Sequence, residues 1–245
     1  MTLLDLSKPL LPEALAAART IYGELPDVPA GGLNRIYYHW AVEAYNCTDS
    51  AYNLEVYLPT GTNEFAIQIT NTPLANVAGS SETISSHTYR RNTGAVGIAI
   101  SGLVGATYDN LGSEPVTLHQ EEFLCAAGAA VAKKYGIQCD APAEGIFYPS
   151  DLAQEHTVMT HSEAALTTPS TDDNVTWYSH YYCYGVNDWR ANAAGNPTPG
   201  TDSADPDCRW DLAEDQASGT PPDENDARAH GDLLRKRTHQ YGAAL

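Results

Sequence analysis

The chain has 245 residues and 42% apolar content, enough for one sizeable core or two small ones. Its 31 acidic against 13 basic residues give a formal charge of −18, which repels phosphate backbones and anionic bilayers and so excludes nucleic acid as a partner. The longest mostly apolar run, 95–106, is too short and too glycine-broken to span a membrane, so no membrane insertion is expected.

Residues 12–22 read as a short helix, with Pro12 suited to the first turn and Gly23 as its stop. A Pro/Gly-rich stretch to Gly32 separates this 1–33 extension from residues 34–245. Arg35-Ile-Tyr-Tyr-His-Trp40 is β-rich and ends on a histidine. Tyr52–Leu58 alternates, with Leu54 and Val56 on one face and Asn53 and Glu55 on the other; after a turn at Gly61, Phe65–Thr70 alternates too, and the pair reads as a hairpin. Val96–Ser101 is continuously apolar, as expected for the middle of a sheet covered on both faces.

Thr117–Tyr135 carries the clearest helix pattern. Thr117 and Gln120 make a capping box, Phe123, Leu124, Ala127, Val131 and Tyr135 form an apolar stripe, Lys133 and Lys134 occupy the last turn, and Gly136 closes it. Val158-Met-Thr-His161 is a short segment delivering a second histidine. Residues 168–208 are polar and aperiodic, long for a connection and read as an insertion. The acid excess concentrates in 201–226, a pattern typical of a solvated surface, and 223–241 reads as a terminal helix carrying Leu233, Leu234 and Tyr241. Strands mixed with helices in one unit predict an α/β (α+β) fold with a mixed central sheet flanked by helices.

The five cysteines form no Cys-x-x-Cys pair, so no cysteine metal knuckle is expected, and a Cys183–Cys208 bridge stays open. The first residues lack a basic start followed by an apolar stretch, so a soluble protein without a secretory leader is expected.

Three polar positions draw attention: His39 at a strand end, His161 in Thr160-His-Ser-Glu163, and Asp211 in Arg209-Trp-Asp-Leu212. Two neutral imidazoles and a carboxylate suit a catalytic zinc that keeps one position open for water. Taken locally, a lone histidine is more often structural than a metal ligand, and the spacing differs from the one-helix His-Glu-x-x-His pattern.

His39-Trp40 after Arg35-Ile-Tyr-Tyr resembles the first zinc motif of the N-acetylmuramoyl-L-alanine amidases, the family of phage lysins and peptidoglycan-recognition domains. Tyr52-Asn53-Leu54 is similar to that family's Tyr-His-Phe strand. Ser86-His-Thr-Tyr-Arg-Arg-Asn-Thr-Gly-Ala-Val-Gly-Ile-Ala99 is the most specific match, to a His-Thr…Asn-Thr-Gly-Ser-Ile-Gly-Ile-Ala segment. Thr160-His-Ser-Glu-Ala and Arg209-Trp-Asp-Leu resemble the second and third zinc motifs, and Leu234-Arg235 with Tyr241 a lysin-like tail.

The resemblance implies a zinc amidase fold over residues 34–241 and Zn2+ held by His39, His161 and Asp211. It implies hydrolysis of the bond between N-acetylmuramic acid and L-alanine in peptidoglycan, in an endolysin-like role with a phage protein waiting in the host cytoplasm. Tyr52 and Arg209 would stabilise the oxyanion; Glu163 would orient an imidazole or, less favoured, act as general base. Trp40, His87 and Asn92 would contact substrate, although Trp40 fits the core and Asn92 a turn equally well. Ala99 stands where some members carry a catalytic Glu, and Asn53 replaces the usual His, leaving the general base unassigned. The rival readings are a non-catalytic peptidoglycan-binding module and a phage structural component of the same fold.

Overall fold

The structure is a computed structural model that describes residues 4–49, 51–88, 92–104, 112–139, 157–166 and 224–245. In chain order these form α1 (Pro12–Glu24), β1 (Arg35–Glu43), β2 (Leu54–Tyr57), β3 (Ala66–Ile69), a 3-10 turn (Pro73–Asn76), β4 (Ala95–Leu103), α2 (Leu118–Tyr135), β5 (Val158–Thr160), α3 (His161–Leu166) and α4 (Glu224–Ala244). The insertion expected at 168–208, the acidic run up to Asp223, Cys183, Cys208, Arg209 and Asp211 lie outside the described residues.

The five strands form one mixed sheet in the order β3-β2-β4-β1-β5. β4 is central and parallel to both β1 and β2, β5 runs parallel to β1, and β3 pairs antiparallel with β2 as the expected hairpin. Every residue of β4 is buried, the outcome its continuous apolar run predicts for a strand enclosed on both sides.

The two faces differ sharply. Ile36, Tyr38 and Trp40 of β1, Leu54 and Val56 of β2, and Val96, Ile98 and Ile100 of β4 join the main apolar core with Phe123, Leu124, Ala127 and Val131 of α2 and Leu234 and Tyr241 of α4. Each large side chain so enclosed contributes roughly 1.5–3 kcal/mol. α1 adds Ala14, Ala18 and Ile21 to this same core, so the N-terminal segment covers the sheet's own apolar side. By strand alternation Tyr37, His39, Ala41 and Glu43 of β1 point the other way.

α2 forms as its sequence demands. The Thr117–Gln120 capping box is present in both directions, and the chain leaves the helix through Gly136 at φ 68°, the left-handed conformation glycine adopts without strain. The helix lies close against the sheet at Gly128, where a Cβ would stand 1.8 Å from the Tyr38 hydroxyl. That hydroxyl bonds Thr238 of α4 at 2.7 Å, so one small residue lets a strand and two helices meet.

α4 was legible as a helix but not in what it buries. Besides Leu234 and Tyr241, it encloses Arg228, His230, Arg235, Arg237 and Thr238. Acids of α2 meet two of them: Arg237 forks onto Glu122 at 2.8 and 2.6 Å, where Tyr241 also donates at 2.7 Å, and His230 lies 2.8 Å from Glu121.

Gly128→Ala is expected to displace Tyr38 and lower unfolding stability by roughly 1–3 kcal/mol. Urea denaturation of Gly128→Ala, beside a Tyr38→Phe/Gly128→Ala double variant that loses less, checks this.

Candidate functional site

The polar face of the sheet is floored by small residues. β4 presents Ala95, Gly97, Ala99 and Ser101 there, between the outward side chains of β1 and β2. A Cβ at Gly97 would stand 2.3 Å from the His87 ring, so this glycine makes the seat on which that imidazole lies.

His39 comes from the middle of β1, wholly buried, and His161 follows β5 at the first position of α3, 6% exposed. Parallel pairing of β1 with β5 sets these distant residues side by side. Their rings meet edge to face, 4.5 Å between centroids, with the two Nδ1 atoms 2.9 Å apart. Tyr52 stands 5.1 Å from the His39 ring and donates its hydroxyl to the Trp40 carbonyl at 3.1 Å.

His161 is held by a device that the sequence displays and pattern reading passed over. Thr160-x-x-Glu163 is a capping box: the Glu163 amide donates to Thr160 Oγ1 at 3.1 Å, and Glu163 Oε2 accepts from the Thr160 amide at 3.0 Å. Arg235 of α4 then grips both Glu163 oxygens at 2.7 and 2.8 Å, reaches the Val158 carbonyl at 3.1 Å, and bonds Asp232. Burial works against the Arg235 charge, but Glu163 and Asp232 outweigh it and raise its pKa. Glu163 therefore fixes the turn that carries His161, with both carboxylate oxygens engaged.

Behind His39 runs a second set of contacts. Thr88 Oγ1 is 3.3 Å from His39 Nε2 and 3.0 Å from His87 Nδ1. Asn92, through its side-chain oxygen, accepts from the Thr88 amide at 2.6 Å. Asn76 holds this loop to the sheet. Its amide donates to the Ser85 carbonyl at 3.0 Å and the Asn92 carbonyl at 2.9 Å, while its oxygen accepts from Asn53 at 3.2 Å and the Ser85 amide at 3.1 Å. Asn53 also accepts from the Gly97 amide at 2.9 Å, so it ties β2 to β4. Burial first, then proximity to His39 and His161, pushes His87 well below the ordinary histidine range.

The residues expected at the site are thus partly assembled. His39, His161 and Tyr52 cluster on the polar face. His87, 6% exposed, and Asn92 lie behind His39, in the loop that supports it. Trp40 belongs to the main core on the opposite face, where strand alternation places it. Asp211 and Arg209 lie outside the described residues, and among the described residues no three His, Cys, Asp or Glu side chains are grouped to hold a metal ion. Sequence reading missed Thr88, Asn76, Arg235 and the acid pair Glu43–Glu55. The last was signalled by parity, since Glu55 occupies the face opposite Leu54 and Val56 in a strand buried on both sides.

Glu55 is registered with Ala99, which is registered with His39, so the three share a face across adjacent strands. It accepts from the Asp49 amide at 2.5 Å. Burial, then a hydrogen bond shared with Glu43, raises it to about 9 against an ordinary 4.5. Burial and the shared hydrogen bond thus favour its protonated form.

No protein-family model and no curated protein matches the chain. Among solved structures it is similar to AmpDH3 from Pseudomonas aeruginosa, at 13% identity over 100% of this chain and 99% of that one, with a TM-score of 0.36. A likeness at that level carries no functional argument.

Two predictions follow from these buried charges. Arg235→Met leaves the Glu163 carboxylate enclosed without its partner and should cost about 3–5 kcal/mol, with much of the loss recovered in Arg235→Met/Glu163→Leu; urea unfolding of both variants measures it. For Glu55, whose folded pKa is raised, the stabilising contribution is complete below about 4.5 and is lost as pH climbs toward about 9. Wild type should therefore lose stability across that window, and Glu55→Gln should flatten the loss, as read from denaturant midpoints at successive pH values.

Proposed function

We propose that this chain is a zinc-dependent hydrolase of peptidoglycan that cuts the amide between N-acetylmuramic acid and L-alanine, in a cell-wall-lysing, endolysin-like role. The observation that carries the reading is the pair of imidazoles, one on β1 and one just after its parallel neighbour β5, presenting Nδ1 to Nδ1 at 2.9 Å. Imidazole nitrogens converging from separate elements suit a zinc ion, which binds such donors at about 2.0–2.1 Å. The donor set fits, with Asp211 proposed as the third ligand on the strength of the Arg209-Trp-Asp-Leu motif.

The cation, when bound, would supply Lewis acidity toward the amide carbonyl and the attacking water. The chain's own side chains do the rest. Tyr52 borders His39 and can stabilise a developing oxyanion only by giving up its bond to the Trp40 carbonyl. Arg209 is proposed for the same charge or for a substrate carboxylate. Glu163 positions His161, a role that its engagement by Arg235 and Thr160 supports over that of general base.

The test is metal analysis with mass spectrometry of digested sacculi. Wild type should bind one zinc and release stem peptides with free N-terminal alanine. His39→Ala and Asp211→Ala should lose zinc and at least a hundredfold in release. Zinc retained with no new alanine termini would mark a peptidoglycan-binding module instead, and full cleavage by Asp211→Ala would remove that residue from the mechanism.

A further inference from the structure

The two ends of the sheet are finished differently. β5 is buried along its whole length, whereas no residue of β3 is buried and Gln68 is exposed. Which main-chain groups of β3 face outward follows from its ladder with β2. The Thr70 amide donates to the Asn53 carbonyl at 2.9 Å, and in an antiparallel pair successive residues turn alternately toward and away from the neighbouring strand. Gln68 and Ala66 therefore turn toward β2, as Thr70 does, and Ile67 and Ile69 turn their N–H and C=O away from it. β3 ends the sheet on that side, and among the described residues nothing bonds those outward groups.

Proteins commonly guard such an edge with lysine, proline or a bulge. Residues 65–70, Phe-Ala-Ile-Gln-Ile-Thr, hold no charge and no proline, in a chain of net charge −18, and the register of β3 with β2 runs unbroken. The side chains alternate as well. Phe65, Ile67 and Ile69 pack against the main core, while Gln68 lies on the other face, registered with Glu55. A strand that continues this sheet must put apolar side chains on the core side and polar ones opposite, and bring no charge into the contact. β3 of a second copy meets these terms. A two-fold axis perpendicular to the sheet keeps each face on its own side, so the apolar row of one copy continues that of the other.

We propose that β3 is a self-association edge, at which two copies of this chain pair their β3 strands antiparallel, with Ile67 of one copy opposite Ile69 of the other. Each such pair exchanges both main-chain hydrogen bonds, and the axis, which passes at Gln68, generates the pair twice. The outward groups of both isoleucines are then met, and the two sheets become one. A contact confined to a strand of four residues is smaller than that of a permanent dimer, and two copies of charge −18 repel. Association is therefore weak, with a Kd of roughly 10 µM to 1 mM, and it strengthens as salt screens the repulsion. The inference stands on the sheet edge and is independent of the proposed hydrolase activity.

Sedimentation equilibrium of the full chain across that concentration range should show the mass climbing from one copy toward two, more steeply at about 0.5 M than at about 0.05 M NaCl. Amide hydrogen exchange should show Ile67 and Ile69 protected only in the concentrated sample, while Ala66 and Gln68, bonded to β2, stay protected at every concentration. Ile67→Pro removes an outward N–H and no bond to β2, and should remain monomeric. Because Ile67 also packs against the core, Gln68→Lys at its exposed position is the second variant. It sets like charges across the axis and should weaken association at least about threefold. Gln68→Glu should do the same, and an equimolar mixture of Gln68→Lys and Gln68→Glu should associate more tightly than either alone. Wild type that stays monomeric up to about 1 mM at high salt overturns the proposal, whether or not an added extended peptide engages the edge. So does a dimer in which the Ile67 and Ile69 amides still exchange freely, or one that Gln68→Lys, shown folded by circular dichroism, leaves unchanged or strengthens.

Discussion

The site depends on one constraint of the extended chain: consecutive side chains of a strand leave opposite faces. β1 obeys it with unusual economy. Tyr38 and Trp40 enter the apolar core beneath α2 and α4, and His39 between them leaves on the polar side. The imidazole is therefore flanked along the chain by two of the best-anchored rings in the protein. Slipping β1 by one residue would exchange core for site, a change the packing of Tyr38 under Gly128 forbids.

Much of this was readable before any coordinates. The apolar run at 96–101, the hairpin around Gly61 and the capped helix from Thr117 each carry a local physical signal that tertiary packing does not overrule, and the sheet and α2 formed accordingly. The pairing of His39 with His161 was visible only through resemblance, because parallel neighbours in a sheet leave no trace in local periodicity. Trp40 was ambiguous for the opposite reason: an aromatic beside a polar site residue can serve either face, and only the sheet's burial on the α2 side decides. Glu163 was expected to orient an imidazole, with general base the less favoured role; in the structure it caps α3 and receives Arg235.

α4 shows why polar patterning misleads. Its buried side includes three arginines, a residue type almost never fully enclosed without partners, and a histidine. For His230, Arg237 and Arg235 the partners are supplied in advance: Glu121 and Glu122 from the first turns of α2, and Glu163 from α3. Such pairs add little net stability over an apolar contact, but breaking one is costly, so they penalise every other docking of the helix. The cost is spent where position matters. Arg235 joins α4 to the turn that carries His161 and to the β5 carbonyl just before it, so the last helix of the chain fixes one of the two imidazoles.

The other imidazole is fixed from the opposite direction, and β4 makes that possible by what it omits. Ala95, Gly97, Ala99 and Ser101 leave a shallow floor on the polar face. A larger side chain at Gly97 would evict His87, and with it the contact through Thr88 to His39. Asn53 and Asn76 then fasten the loop over that floor with buried amides whose donors and acceptors are met by backbone and by each other. Buried amide networks of this kind specify a single geometry because any displaced member leaves a polar group unpaired in a low-dielectric setting. An ion pair steadies His161 and a neutral hydrogen-bonded network steadies His39. That division places no added positive charge behind His39, which agrees with the zinc site proposed above.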